Sequence, residues 1–297
     1  MPTGGAMGEL TIESLYEQVR AAVPATGPEV SAVPVQVASG IRVLALRTPT
    51  LPPAAHTNVY MVGPEQGPVA VVDPGSPYPE QQAILDAVLE NLPIAMVLLT
   101  HHHGDHIGGA AALAERWNVP IAAHAATARR LAGILEVTQL IEDGETIHGL
   151  TAVHTPGHAE GHLCYELGAA TIAGDMVAGI GTILIDPSEG DMVLYLASLE
   201  RLLARPPTTL LPAHGPPIAD GPAKLREYLA HRMMREGRVL ASLTADPTPL
   251  SALLPTAYGD TPRMLWPLAE RSLLAHLDKL SRDGRARDDG SGRWSRL

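Results

Sequence analysis

The chain contains no phenylalanine, and Trp and Tyr bring its aromatic content to only 3% of 297 residues. Its hydrophobic fraction of 45% still allows a large core, which must therefore be built from Leu, Val, Ile and Ala. The single cysteine, Cys164, excludes an internal disulfide and is typical of a reducing compartment. No apolar run approaches the roughly 20 residues of a membrane span, and the early Glu9 and Glu13 leave no apolar segment for a secretory signal. We therefore expect a cytoplasmic protein with no membrane contact.

Acidic residues outnumber basic ones, and the formal net charge is −11. The imbalance is uneven, because residues 223–297 hold 13 Lys and Arg against 9 Asp and Glu, whereas residues 1–222 hold 8 against 23. The acidic part would repel a polyanion, so only the C-terminal part is suited to contact nucleic acid. Its excess of positive charge is modest, and a solvated surface is the simpler interpretation.

One segment, Thr100–His106, concentrates the chemistry of the chain. It reads Thr-His-His-His-Gly-Asp-His and follows an apolar run that is typical of a buried strand. We expect His101, His103, Asp105 and His106 on one tight loop, where imidazole and carboxylate groups bind zinc. A solvated His-rich turn is the alternative, but further ligands of the same kind are found downstream.

Two metal ions need about three protein ligands beyond those of this loop. Three candidates follow short apolar runs and stand beside a glycine, which lets the backbone turn sharply. They are His158, Asp175 and His214. Each is a weak signal alone, because a single His or Asp at a strand end is usually satisfied locally. The four motifs in this order and spacing are a strong signal of a metal site.

This pattern resembles that of the metallo-β-lactamase superfamily, His-x-His-x-Asp-His followed by a His, an Asp and a His. The resemblance implies one metal ion on His101, His103 and His158, a second on Asp105, His106 and His214, and Asp175 as the bridge between them. It also implies a hydrolase that uses a metal-bridging hydroxide, with Asp105 as a catalytic residue that accepts a proton. Two Zn²⁺ ions are the expected cofactors, although iron or manganese would suit the same ligands.

The periodicity of apolar residues predicts alternating strands and helices, and therefore an α/β fold. An amphipathic helix is predicted at 9–22, and alternating strands at 35–47 and 57–62. The resemblance adds the architecture, an αββα sandwich. We divide the chain into an N-terminal helix and connector (1–36), a hydrolase domain (37–222), a linking helix (223–245) and a small C-terminal domain (246–297).

The small domain is predicted from a change of pattern after the last expected ligand. Helical segments at 222–243 and 267–283 are separated by a Pro-containing break at 246–249. The basic, Gly-rich stretch 284–294 is either a β-wing or a frayed tail. These elements together read as a winged-helix-like α(+β) domain. With the His-Arg…Arg-Glu element at 231–236, they make the chain similar to the lactamase-beta-like protein 2 group of the superfamily.

The metal pair alone does not determine the substrate, because this fold supports hydrolysis of phosphodiesters, thioesters, lactones and β-lactams. The resemblance includes endoribonucleases that cut single-stranded RNA and thioesterases that act on polyketide carrier proteins. An endoribonuclease is therefore one hypothesis, supported by the basic C-terminal part but lacking an aromatic cluster for base stacking. A hydrolase of small acyl substrates (thioester, lactone or β-lactam) is the second, with the C-terminal domain serving homodimerisation. A non-catalytic metal-binding domain is the third, and the complete ligand set argues against it.

The remaining histidines are not expected to be metal ligands. His102 is expected to point away from the metals and to bond locally. Four others are candidates for lining the pocket or bonding to ligands: His56, His124, His154 and His162. We expect His148, His231 and His276 to be ordinary surface or packing residues. By position, the stretches 52–56 and 179–190 are predicted to form the rim of the pocket.

Overall fold

The computed structural model describes residues 12–24, 32–205 and 207–297. The first element in this part of the chain is helix α1 (Ile12–Ala22). It covers most of the helix predicted at 9–22, while residues 9–11 lie outside the described residues. None of the helices within the described residues combines the length and apolar character needed to cross a bilayer.

Seven strands form the first sheet, which we call sheet A, and they lie in it in chain order. They are β1 (Val35–Ala38), β2 (Ile41–Arg47), β3 (His56–Val62), β4 (Val69–Val72), β5 (Ile94–Leu98), β6 (Ile121–Ala123) and β7 (Gln139–Leu140). The strands from β1 to β4 pair antiparallel, and those from β4 to β7 pair parallel. The predicted strand region 35–47 is in fact two strands, because Gly40 (φ +71°) turns the chain back on itself.

Four helices follow or connect the strands of sheet A. They are α2 (Pro79–Leu89), α3 (Gly104–Ile107), α4 (Ala110–Trp117) and α5 (Ala125–Arg130). Helix α4 follows the paired glycines 108 and 109, and the single turn of α3, which lies inside the segment Thr100–His106, was not predicted. That turn carries two of the candidate metal ligands, Asp105 and His106.

Five strands form the second sheet, sheet B, with the order β12-β11-β10-β9-β8. They are β8 (Thr146–Ile147), β9 (Leu150–His154), β10 (Leu163–Leu167), β11 (Ala170–Gly174) and β12 (Thr209–Pro212), with α6 (Met192–Ala204) between the last two. β11 and β12 are parallel because α6 returns the chain, whereas the other pairs are antiparallel hairpins.

Alternation along the strands builds the layers. On β10, Leu163 and Tyr165 face sheet A, whereas Cys164 faces the outer layer with α6. Val59 and Met61 of β3 likewise pack under α2 and α4, on the outer side of sheet A. The order helix, sheet, sheet, helix confirms the predicted αββα sandwich, and its cores are aliphatic apart from a few tyrosines.

A separate core lies in the C-terminal part of the chain. Its elements are α7 (Gly221–Ser242), β13 (Thr248–Pro249), α8 (Leu250–Ala257), α9 (Trp266–Arg282), β14 (Ala286–Asp288) and β15 (Arg293–Arg296). Trp294 of β15 is 4% exposed and packs against α8 and α9, so the stretch 284–294 is a wing and not a frayed tail. These elements confirm the predicted winged helix. Its first helix, α7, also contributes Leu225 and Tyr228 to the sandwich.

His276 was predicted to be an ordinary surface or packing residue, and it is fully buried on α9. Neither of its ring nitrogens has a hydrogen-bond partner among the described residues. Burial, together with the positive charges of Arg232, Lys279 and Arg235, lowers the pKa of His276 to about 3. The folded protein therefore keeps this imidazole neutral under conditions in which an unfolded chain would protonate it.

Replacing His276 by leucine should reduce the acid sensitivity of the fold. Below the ordinary histidine pKa of about 6.5 the unfolded chain takes up a proton that the folded chain refuses, so stability falls as pH falls from about 6.5 towards 3. The difference amounts to about 1.4 kcal/mol per pH unit in that window. Urea unfolding of metal-free protein at pH 7, 5.5 and 4.5 measures it. Parallel pH profiles for wild type and His276→Leu would contradict this account.

Candidate metal centre

The candidate ligands meet because each follows the carboxyl end of a strand. The segment Thr100–His106 follows β5 of sheet A, whereas His158, Asp175 and His214 follow β9, β11 and β12 of sheet B. Within sheet A, the chain after β4 packs directly against the loop that carries Asp105. A Cβ atom at Gly75 would lie only 1.7 Å from the carbonyl oxygen of Asp105, so this approach needs glycine. The structure therefore brings all seven predicted site residues together in one buried cluster.

Three nitrogens form the first group of ligand atoms. His103 Nδ1 lies 2.9 Å from His101 Nε2 and 2.9 Å from His158 Nε2, and the latter two are 3.3 Å apart. Three nitrogens bound tetrahedrally at 2.0–2.1 Å from a zinc ion would be about 3.3 Å apart. The triangle is thus close to the face that one zinc ion requires.

Three further side chains, Asp105, His106 and His214, form the second group. His214 Nε2 lies 3.5 Å from an oxygen of Asp105, and His106 Nε2 lies 3.9 Å from the other oxygen. Asp175 stands between the two groups, with Oδ2 3.4 Å from His158 and Oδ1 3.4 Å from His214.

Among the described residues, His106 Nε2 and Asp175 Oδ1 are buried without a hydrogen bond and lie 3.7 Å apart. A buried imidazole and a buried carboxylate that face each other without a hydrogen bond are costly, and a cation between them would satisfy both. The donor set, five imidazoles and two carboxylates, is also the one that zinc prefers. The residues present therefore fit a pair of metal ions.

Each candidate histidine ligand is held by its second ring nitrogen. Nδ1 contacts Thr100 Oγ1 at 2.9 Å in His101, Asp73 at 2.9 Å in His106, the Leu184 carbonyl at 2.9 Å in His158 and the His56 carbonyl at 2.9 Å in His214. His103 is reversed, because its Nε2 donates to Glu189 at 2.8 Å and its Nδ1 faces the cluster. These contacts fix the orientation and tautomer of the imidazoles, as partners of metal ligands do.

Electrostatics prepare most of these groups for a cation. Burial lowers the pKa of His101 well below its ordinary value and that of His158 to about 4, so both are neutral with free lone pairs. Burial alone would lower the pKa of His106, but the surrounding carboxylates outweigh it and raise that pKa well above the ordinary value. Burial alone would raise the pKa of Asp175, but neighbouring imidazoles hold it well below its ordinary range. Cation binding at His106 Nε2 would therefore release a proton.

Two acidic residues of the centre were not predicted from sequence. Asp73 accepts from the Thr100 backbone amide at 2.7 Å and from its hydroxyl at 2.6 Å, besides contacting His106. Glu189 lies 86 positions from His103 and had no motif around it. The only available signals were the segment Val71–Gly75, for Asp73, and the predicted rim stretch 179–190, for Glu189.

Replacing Glu189 by glutamine should weaken one metal site and spare the other. The hydrogen bond with His103 lowers the pKa of Glu189 to about 2, so the negative charge stands directly behind this imidazole. Loss of such a charge typically costs about 10- to 100-fold in metal affinity. Competition with a chromophoric chelator should show that loss in one of two binding steps, and the exposed Glu65→Gln should match wild type. Equal weakening of both steps would contradict the assignment.

The remaining histidines divide into those near the centre and those away from it. His162 is fully buried, accepts from the Asp175 amide at 3.0 Å and, through its other nitrogen, contacts Thr155 Oγ1 at 2.8 Å, so it positions the predicted bridging residue. The prediction that His102 bonds locally is wrong for hydrogen bonds, because neither of its nitrogens has a hydrogen-bond partner among the described residues, and its contact with Glu189 Oε2 is at 4.0 Å. His124 and His154 stack on each other, with ring centroids 4.1 Å apart.

A cavity of about 620 Å³ opens above the candidate metal ligands. Most of both predicted rim stretches line it, and α1, α7 and α9 close its other sides. Much of the wall is aliphatic, from Ile12, Leu51, Ile180, Ile183, Leu184, Leu265 and Leu268. His231 also lines the cavity, so the prediction that it is an ordinary surface or packing residue is wrong.

The fold agrees with comparisons to known proteins. Residues 52–214 match the metallo-beta-lactamase superfamily, and residues 250–294 match the beta-lactamase associated winged helix domain. The chain belongs to the metallo-beta-lactamase superfamily and is a metal-dependent hydrolase of that group.

The chain is also similar to particular known proteins. The chain is 30% identical over 252 residues to a Beta-lactamase-like protein 2 homolog of Drosophila melanogaster, a match that covers 78% of this chain and 84% of the relative. It is 37% identical over 202 residues to an atrochrysone carboxyl ACP thioesterase of Emericella nidulans, a match of 63% of this chain and 60% of the relative. A beta-lactamase domain protein from Burkholderia ambifaria shares the fold with a TM-score of 0.77 at 24% identity, over 92% of this chain and 97% of the other.

Proposed function

We propose that this chain hydrolyses small acyl substrates, with thioesters as the first class to test, at a centre of two zinc ions. His101, His103 and His158 would hold one ion, Asp105, His106 and His214 the other, and Asp175 both. The cavity is the observation that carries the choice of substrate. A volume of about 620 Å³ is that of a small-molecule site, and its aliphatic walls suit an acyl chain.

The residues of the centre have distinct parts in this reaction. A zinc pair supplies Lewis acidity, which polarises a carbonyl and lowers the pKa of water towards about 7. Asp105, which lines the cavity, would accept the proton of the attacking water at its carboxylate. Asp73 and Glu189 would keep His106 and His103 in the tautomers that face the cluster.

The hypothesis of RNA cleavage has weaker support. A single strand is usually bound along a cationic groove with aromatic side chains for stacking. Among the described residues, the cationic side chains lining the cavity are Arg20, Arg232 and Arg235, and two of these are ion-paired. The similarity to an ACP thioesterase also favours acyl hydrolysis over RNA cleavage, although this chain spans only 60% of that relative.

A direct comparison of substrates tests the proposal. Zinc-loaded protein is assayed with pentanoyl-pantetheine and with a labelled single-stranded RNA, beside Asp105→Asn and the exposed control Asp246→Asn. We expect thioester hydrolysis that Asp105→Asn loses and Asp246→Asn keeps, without cleavage of RNA. Cleavage of RNA that depends on Asp105, with no hydrolysis of thioesters or other acyl esters, would overturn the proposal.

A further inference from the structure

One group of side chains in the cavity wall, from the C-terminal part of the chain, is polar and cationic. It includes Arg232 and Arg235 of α7 and Tyr258 after α8. All three are buried, with Arg232 only 3% exposed. Guanidinium groups only donate hydrogen bonds, so this wall presents donors to whatever occupies the cavity.

Arg232 is the cavity arginine without a counter-charge. Arg20 pairs with Glu13, and Arg235 pairs with Asp260 at 2.7 Å. Among the described residues no carboxylate lies within 4.0 Å of the Arg232 guanidinium, which instead donates to the Ile183 carbonyl. A buried guanidinium with no anion beside it is costly, and such groups are normally paired.

Two further donors in this region lack acceptors. The Nε of Arg232 is buried and has no hydrogen-bond partner among the described residues. The hydroxyl of Tyr258 is also buried without a partner at ordinary hydrogen-bond geometry, and the side chain that interacts with it is Ser272, another residue of the cavity wall. Burial raises the pKa of Tyr258 to about 12, and the charges of Arg232 and Arg235 oppose that rise, so this phenol stays a neutral donor beside the guanidinium groups. Donors that find no acceptor within the protein favour an anionic ligand, because hydrogen bonds to a charged acceptor are strong.

The position of Arg232 connects it to the metal centre. Its guanidinium lies 5.2 Å from the ring centroid of Tyr195 and donates to the carbonyl of Ile183. The next carbonyl, that of Leu184, accepts from His158. Arg232 and a candidate metal ligand are therefore held by consecutive peptide groups of one loop, within the reach of a single small molecule.

We propose that Arg232, assisted by the Tyr258 hydroxyl, binds an anionic group of the substrate while the scissile carbonyl lies at the metal centre. This inference rests on the proposed acyl hydrolysis and adds a specificity to it. Two kinds of substrate would supply such an anionic group: one with a carboxylate on the acyl part, and one with a phosphate on the leaving part. The aliphatic wall would hold the chain between the two ends.

The test compares three thioesters of matched length. Pentanoyl-pantetheine carries no charge, glutaryl-pantetheine has a carboxylate on the acyl part, and pentanoyl-4′-phosphopantetheine has a phosphate on the leaving part. We expect wild type to prefer one charged substrate by about tenfold in kcat/KM. Arg232→Gln should abolish that preference mainly through KM, Arg232→Lys should keep part of it, and the exposed Arg226→Gln on the same helix should keep it all. Which charged substrate is preferred identifies the source of the anion.

Binding without turnover separates this inference from the proposed function. Amide analogues of the same three compounds are titrated calorimetrically into zinc-loaded protein. Loss of affinity for a charged analogue in Arg232→Gln would support the subsite even if no thioester were hydrolysed. Tyr258→Phe, which removes only a hydroxyl, should weaken the same analogue several-fold and covers the case in which Arg232→Gln does not fold. Equal effects on charged and neutral compounds would overturn the inference.

Discussion

Asp105→Asn should lower hydrolysis by about 10³-fold and leave the fold in place. The substitution keeps the shape of the side chain but removes the charge that faces His106 and His214, together with the proposed proton acceptor. Loss of a positioned general base costs about 10²- to 10⁴-fold. The side chain lies at the floor of the cavity and not in an apolar core, so we expect Tm to change by less than about 5 °C. Thioester kinetics and thermal unfolding measure the two effects.

The control for this substitution is another aspartate in the same chain. Asp246 is exposed in the turn before β13, and Asp246→Asn should retain wild-type kinetics and Tm. Metal analysis of Asp105→Asn adds a second check, because the first group of ligands is intact and should still bind an ion. Activity within tenfold of wild type would show that Asp105 does not serve in the reaction.

The seven candidate ligands were predictable because each lies next to a strand end that the sequence marks. Apolar runs identify the strands, and the carboxyl ends of neighbouring strands meet at one edge of a sandwich. The pattern within Thr100–His106 also places several side chains within one turn of chain, so little long-range information is needed. His158, Asp175 and His214 were weak candidates one by one and became a strong signal only as an ordered set of motifs, and the resemblance then implied which metal ion each would hold.

The partners of these ligands could not be predicted in the same way. Glu189 reaches His103 across a separation of 86 residues, and its position depends on a loop that Asp186 ties to Arg271 of α9. The cavity wall could not be predicted for a similar reason, because α7 and α9 belong to a part of the chain that the sequence marks as a separate domain. His231 was predicted to be an ordinary surface or packing residue, and Arg232 was noted only as part of the His-Arg…Arg-Glu element, since helical periodicity does not show which domain a polar face will meet.

Metal removal should have the second large effect, on both activity and stability. Without a cation, His106 Nε2 and Asp175 Oδ1 remain buried with no hydrogen-bond partner among the described residues, and two carboxylates share one pocket. An ion present at about 1,000 times its dissociation constant stabilises the fold by about 4 kcal/mol, which corresponds to roughly 10 °C in Tm for a domain of this size. Dialysis against a chelator should therefore abolish hydrolysis and lower Tm by at least that amount.

Reconstitution decides what the cations contribute. Zinc added back should restore both Tm and activity, with full recovery near two equivalents per chain, because the cluster offers two groups of three ligands joined by Asp175. Magnesium should restore neither, since it prefers oxygen ligands and five of the seven side chains are imidazoles. Recovery at one equivalent would assign catalysis to a single ion and leave the second group with another role. Full activity in protein shown by elemental analysis to be metal-free would refute the metal centre altogether.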